Sequence, residues 1–117
     1  MKEQTAIAAL GALAQEDRLA AFRLLVSQGP QGLPSGVIAD RLDVQPTRMS
    51  FHLTTLERAG LLTAQREGRL IRYAVDYGQM RHLLKFLMED CCGSNPVICG
   101  LSANDMTHSP NTLQDTK

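Results

Sequence analysis

Between Pro46 and Gly60 the apolar residues Met49, Leu53 and Leu56 recur at four- and then three-residue spacing, which aligns them on one buried face of a helix. Pro46 suits the first helical position, where its missing N–H has no partner to lose. Gly60 suits the residue just past the end, where a positive φ is needed. The opposite face carries Thr47, Phe51, Thr54 and Arg58, turned roughly 140–200° away from Met49. Ser35 to Leu42 predicts a second short helix, with Ser35 as its cap and Val37, Ile38 and Leu42 buried. Asp43, Val44 and Gln45 make a tight turn between the two helices. Two short helices joined this way form a helix-turn-helix unit. After Gly60 two β-prone runs, Leu61 to Arg66 and Arg69 to Val75, flank a Glu67-Gly68 break and predict a hairpin.

The rest of the chain is organised around that unit. Residues 4 to 14 hold Ile7, Leu10 and Leu13 at helical spacing, while Ala6, Ala8, Ala9 and Ala12 make the segment apolar almost all round. Such a helix needs cover on more than one side, part of it from a second subunit. Asp17 to Gln28 predicts another helix with Leu19, Phe22, Leu25 and Val26 on its core side, and Gly29 to Pro34 reads as a loop. Asp76 caps a last helix running to about Asp90, along which Met80, Leu83, Leu84, Leu87 and Met88 form one stripe that Cys91 extends. Residues 93–117 are poor in apolar side chains and are expected to form a disordered tail. The domain expectation is therefore a DNA-binding and dimerisation domain over 1–92, with 93–117 as a tail carrying a third cysteine.

A short helix with small polar groups and an arginine on its outer face can enter a DNA major groove. Gln45, Thr47, Arg48, Ser50, Phe51, His52 and Thr54 are the candidate residues there, with Phe51 able to meet a thymine methyl group. Phe51 packed on the wing is the competing reading. His52 is expected to support the fold more than to read bases, and Ser50 to bond either a phosphate or its own helix. Arg66, Arg69 and Arg72 cluster along the hairpin and are candidates for phosphate or minor-groove contact.

Charge adds to this only through its distribution. Twelve basic and twelve acidic residues cancel over the 117 residues. Between Gln45 and Lys85, however, five arginines of the unit and its hairpin are joined by Arg81 and Lys85 and opposed only by Glu57, Glu67 and Asp76. A basic middle in a neutral protein is a local electrostatic footprint for nucleic acid. A chain of this length encloses one modest core and not two. No apolar run approaches about 18 residues, and the N-terminal stretch does not read as a signal peptide, so a cytoplasmic protein with no membrane partner is expected.

The string Ser50-x-His52-Leu53-x-x-Leu56-x-x-Ala59-Gly60-Leu61, followed by Arg66-Glu67-Gly68-Arg69 and Tyr73, resembles the ArsR/SmtB family of small metalloregulatory repressors. Leu13-Ala14, Asp17-Arg18-Leu19 and Leu24-Leu25 resemble the family's opening helices, so the likeness covers roughly residues 5 to 90. It implies a mainly α fold with a small β-hairpin: a winged helix-turn-helix, homodimeric through the first and last helices, that binds double-stranded operator DNA as a repressor.

Cys91, Cys92 and Cys99 bring in a second chemistry. Three cysteines in a cytosolic chain point to reduced thiols and hence to metal or redox chemistry. Three soft sulfurs with no fourth ligand suit a three-coordinate ion, As(III) or Sb(III), and the loop between Cys92 and Cys99 closes at modest entropic cost. Zinc competes, because His108 completes a Cys3His set, whereas His82 lies about 13.5 Å and half a turn before Cys91 on a straight helix. Disulfide formation and simple packing of Cys91 also stay open. The family's best-known arsenic site, a Cys-Val-Cys at the start of the recognition helix, has no counterpart in Val44-Gln45-Pro46-Thr47. The resemblance is instead to arsenic-responsive members with cysteines at the end of the last helix. An enzyme using the vicinal thiols is disfavoured, since a helix C-terminus opposes thiolate formation and no cofactor motif is present.

Overall fold

The computed structural model describes residues 1–89. The chain runs α1 (Glu3–Leu13), α2 (Glu16–Gln28), β1 (Leu33–Pro34), α3 (Ser35–Leu42), α4 (Pro46–Arg58), β2 (Leu62–Glu67), β3 (Leu70–Val75) and α5 (Tyr77–Glu89). Met1–Leu83 forms one compact unit, and Leu84–Lys117 a second, of which residues 84–89 are described. The expectations for Cys91, Cys92, Cys99, His108 and the tail lie outside the described residues. Five helices with a three-stranded antiparallel sheet make the first unit and its continuation a winged helix-turn-helix. No described helix is long and apolar enough to cross a membrane.

The core of the first unit is built around α4. Met49, Leu53 and Leu56 are fully buried, as are Leu25 of α2 and Ile38 of α3, the two helices against which α4 packs. The helix closes where the Gly60 N–H donates to the Glu57 carbonyl at 2.9 Å and the Leu61 N–H to the Leu56 carbonyl at 3.1 Å. That closure needs the positive φ of Gly60, +87°, and it folds Leu61 down onto the core. The turn after α3 closes in the same manner. Asp43 is left-handed at φ 55°, a conformation that aspartate tolerates better than most side chains, and the Val44 N–H reaches the Ala39 carbonyl at 3.0 Å.

The helix starts obey different chemistry. Gln15 caps α2, its side-chain oxygen accepting the Arg18 N–H at 2.9 Å. The Asp76 carboxylate accepts the Gln79 N–H at 3.1 Å and caps α5 as expected. Ser35 does not cap α3: the cap position belongs to Pro34, and Ser35 is already the first helical residue.

The sheet corrects two further expectations. The loop predicted over 29–34 ends in a strand, with Leu33 paired to Tyr73 and Pro34 to Arg72, so the sheet order is β1-β3-β2. Two residues show no periodicity, which is why the pairing has no signature in sequence. Gly32 makes the approach possible, since it sits at φ +61° and a Cβ there would lie 1.9 Å from the Tyr73 carbonyl oxygen. The hairpin turn falls on Gly68 and Arg69, one residue later than the Glu67-Gly68 break, because Glu67 pairs with Leu70 as the last rung of the ladder.

Burial along α1 and α2 also departs from the spacing. Ala6, Ala9 and Ala12 face the core, while Ile7 and Leu10 point outward at 62% and 40% exposure. In α2, Ala21, Phe22 and Leu25 are buried and Leu19 is exposed. Val37 of α3, expected inside, is exposed as well, and Ala39 on the opposite face is buried beside Ile38 in sequence.

Candidate nucleic-acid interface

The inward stripe of α4 fixes what its outward face presents. With Met49, Leu53 and Leu56 sealed, Thr47, Arg48, Ser50 and Phe51 are left exposed, and Gln45 stands exposed at the cap position. Phe51 is 65% exposed, which excludes the reading that it packs on the wing. Its ring meets the edge of His52 at a centroid distance of 5.9 Å and otherwise lies open on a face that also bears threonine, serine and arginine. The Thr54 hydroxyl turns back and donates to the Ser50 carbonyl at 3.0 Å, so it offers only its acceptor lone pairs outward. Thr55 does the same toward the Phe51 carbonyl at 3.1 Å.

His52 does not face outward. It is 7% exposed and lies on the side of α4 turned to α2. An Arg18 nitrogen stands 3.2 Å from its Nδ1, and the Asp17 carboxylate 3.6 Å from its Nε2. A guanidinium can only donate, so Nδ1 must accept, and the imidazole is neutral with its proton on Nε2 toward Asp17. Burial, reinforced by Arg18 and by Arg48, pushes the His52 pKa below the ordinary imidazole value, and Asp17 offsets this only in part. Arg18 is itself anchored, its Nε donating to the Ala12 carbonyl. His52 thus ties α4 to α2 and, through Arg18, to the end of α1. The supporting pair Asp17 and Arg18 has no local signature as part of the site, because Arg18 lies 34 residues from His52 in the chain and Asp17 one further. An acidic residue in the first turn of α2 was the available signal.

In the wing, Arg66 near the end of β2 and Arg69 in the turn are exposed. Arg72 is not at the tip. Its Nε donates to Glu67 at 3.1 Å and its Nη1 to the Gln31 and Gly32 carbonyls at 3.2 and 3.3 Å. Its guanidinium fastens β3 to the approach to β1, so the expected phosphate contact by Arg72 gives way to a structural role. Leu70 completes the exposed tip.

Other sites fit the chemistry less well. A groove of about 320 Å³ at the helix-turn-helix turn is lined by Gly36, Ala39, Asp40, Asp43, Val44, Gln45 and Pro46, and its two carboxylates have the wrong sign for phosphate. Among the described residues no three His, Cys, Asp or Glu side chains group closely enough to hold a metal ion.

Known proteins share this arrangement. A helix-turn-helix domain family matches residues 13–65. The transcriptional activator HlyU of Vibrio cholerae is 27% identical over 90 residues, spanning 77% of this chain and 81% of that protein. The structure of reduced HlyU superposes with a TM-score of 0.59 at 26% identity, covering 76% of this chain and 90% of its own. An ArsR-like transcriptional regulator from Rhodococcus sp. RHA1 gives a TM-score of 0.67 at 21% identity, over 91% of this chain and 95% of its own. The homodimeric winged helix-turn-helix DNA-binding domain of Mb0332 from Mycobacterium bovis gives 0.58 at 25% identity, over 79% and 85%. These relatives are transcription regulators, and none of those named is an enzyme.

Proposed function

We propose that this chain is a homodimeric, DNA-binding transcription regulator of the ArsR/HlyU winged-helix type whose thiols control its hold on an operator. The observation that carries the DNA-binding half is the division of α4: a fully buried apolar stripe inward, and Thr47, Arg48 and a 65% exposed Phe51 outward. That combination suits a major groove, with Arg48 fitted to guanine or phosphate and Phe51 to a thymine methyl group. Arg66 and Arg69 supply sequence-independent phosphate or minor-groove contacts beside it. Ile7 and Leu10 on the outer side of α1, and separately Leu84 and Leu87 on the last turns of α5, leave apolar surface that a second copy covers. The homodimeric state of the Mycobacterium bovis domain supports this assembly. Two copies would present their recognition helices about one helical turn of DNA apart.

The control half rests on Cys91, Cys92 and Cys99, immediately beyond α5. Trivalent arsenic or antimony is the inducer that three thiolates without a fourth ligand suit best. An ion joining these three residues ties the segment after α5 to itself, and α5 is one of the two helices assigned to the dimer. A coupling of about 1–3 kcal/mol between ion and DNA suffices for a switch. A second reading, thiol oxidation in place of metalloid binding, is favoured by the existence of a solved reduced form of HlyU. Repression relieved or activation lost both follow from release of DNA, and a promoter reporter distinguishes them.

The test is a mobility shift on the protein's own promoter, titrated with arsenite, antimonite, zinc and an oxidant, on wild type and on Cys91→Ser, Cys92→Ser and Cys99→Ser. Release by arsenite or antimonite that is lost in the serine variants supports the proposal. Release by oxidant alone selects the redox reading, and absence of any promoter binding at low salt removes the DNA-binding half.

A further inference from the structure

We propose that Asp17 is a positioning residue for DNA recognition: its carboxylate restrains Arg48 in the free protein and so reserves that guanidinium for a duplex that offers it a better acceptor. This rests on the reading that Arg48 faces DNA. Arg48 and His52 are one turn apart on α4, and the same Asp17 Oδ2 serves both, at 3.9 Å from Arg48 Nε and 3.6 Å from His52 Nε2. The two ends of this contact differ in freedom. Asp17 is three-quarters buried in the first turn of α2, whereas the Arg48 side chain is 59% exposed. The carboxylate is the fixed post and the guanidinium the mobile arm.

Two physical features make the contact a latch in preference to a structural bond. Its length lies at the outer edge of ion pairing and its Arg48 end is exposed, so the contact adds little to the stability of the fold. Arg48 also occupies the third residue of α4, where the positive end of the helix dipole repels a cation, and Asp17 is the anion that offsets this. An arginine at that position with no partner would grip any phosphate. With Asp17 beside it, its net pull on an arbitrary duplex is reduced. A guanine edge, with two acceptors in one plane, competes for the planar fork more effectively than a single phosphate oxygen does. Asp17 thereby lowers non-specific binding more than specific binding.

The experiment uses the full chain as wild type, Asp17→Asn, Arg48→Ala and the double variant. Anisotropy titrations compare a duplex enriched by the wild type from a randomised pool with a mixed-sequence duplex of equal length, over about 50–200 mM salt. Asp17→Asn keeps the shape and an acceptor for His52 while removing the charge. It is expected to tighten binding to the mixed duplex about threefold per subunit. The salt slope should steepen by about one per subunit. The ratio of enriched to mixed affinity should fall, and none of these changes should occur in the Arg48→Ala background. Wild-type affinity and slope in Asp17→Asn would overturn the proposal, as would the same changes with Arg48 already gone, which would mean that the carboxylate repels DNA directly. If Arg48→Ala alone binds both duplexes as wild type does, the assignment of Arg48 to DNA fails, and the latch with it. A readout that needs no variant is the exchange of the Arg48 Nε–H with water in the free protein. It should be slower than that of the exposed Arg58, and equal rates overturn the restraint.

Discussion

Helices α1 and α4 both carry large apolar side chains, yet they place that bulk in opposite directions. In α4 the large side chains Met49, Leu53 and Leu56 go inward and the outer face is polar apart from Phe51. In α1 the inward positions are Ala6, Ala9 and Ala12, and the large residues Ile7 and Leu10 face out. Alanines allow a close approach to the helices beneath but bury little area, so α1 adds less to its own unit than its hydrophobicity implies. A helix whose large apolar side chains look away from the core leaves them available to a partner, and one whose large side chains look inward holds its outer face still.

The contrast can be broken most forcefully at Leu53. Leu53→Ala opens a cavity where the residue has no exposure, and unfolding in denaturant should show a loss of about 2–5 kcal/mol. Truncation of Ile7 to Ala should show far less, and equal losses at the two sites would end the distinction. The double variant Ile7→Glu with Leu10→Glu tests the other side. Helical content by circular dichroism should hold, while sedimentation equilibrium should show self-association weakened by about a hundredfold, the scale of removing an interface hot spot. Undiminished association would mean that this face meets only solvent.

The smallest effect concerns the polar residue on the inner side of α4. His52 is more readily protonated in the unfolded chain than in the folded one. Its contribution is therefore complete above about 6.5, the ordinary imidazole value, and is lost as pH falls through the lower folded value. Melting temperature should decline over that window in the wild type, and His52→Gln should flatten the decline. An unchanged slope would show that other groups set the acid limb.

How much of this was legible in sequence depends on whether a feature is local. The α4 stripe, the Gly60 closure and the Asp76 cap follow from residues within a turn or two of one another and stand where their patterns placed them, and the hairpin differs only by a one-residue shift of its turn. The facing of α1 was not legible, because spacing identifies a stripe without saying whether alanines or larger residues face the core. Leu19 and Val37 differ from their spacing for the same reason, since Ala21 and Ala39 are the residues buried in those helices. The anchoring of Arg72 and the environment of His52 depend on partners 34 or more residues away. The cysteine site rests on chemistry alone.

The two-residue strand β1 has a mechanical corollary. Pro34 is bonded to β3 on one side and passes directly into Ser35, the first residue of α3, on the other. The wing and the paired helices are thus joined through one short run of backbone, with no linker between strand and helix. Transplanting the wing into another regulator would have to carry residues 31–34 along, or the graft would arrive without its hinge pin.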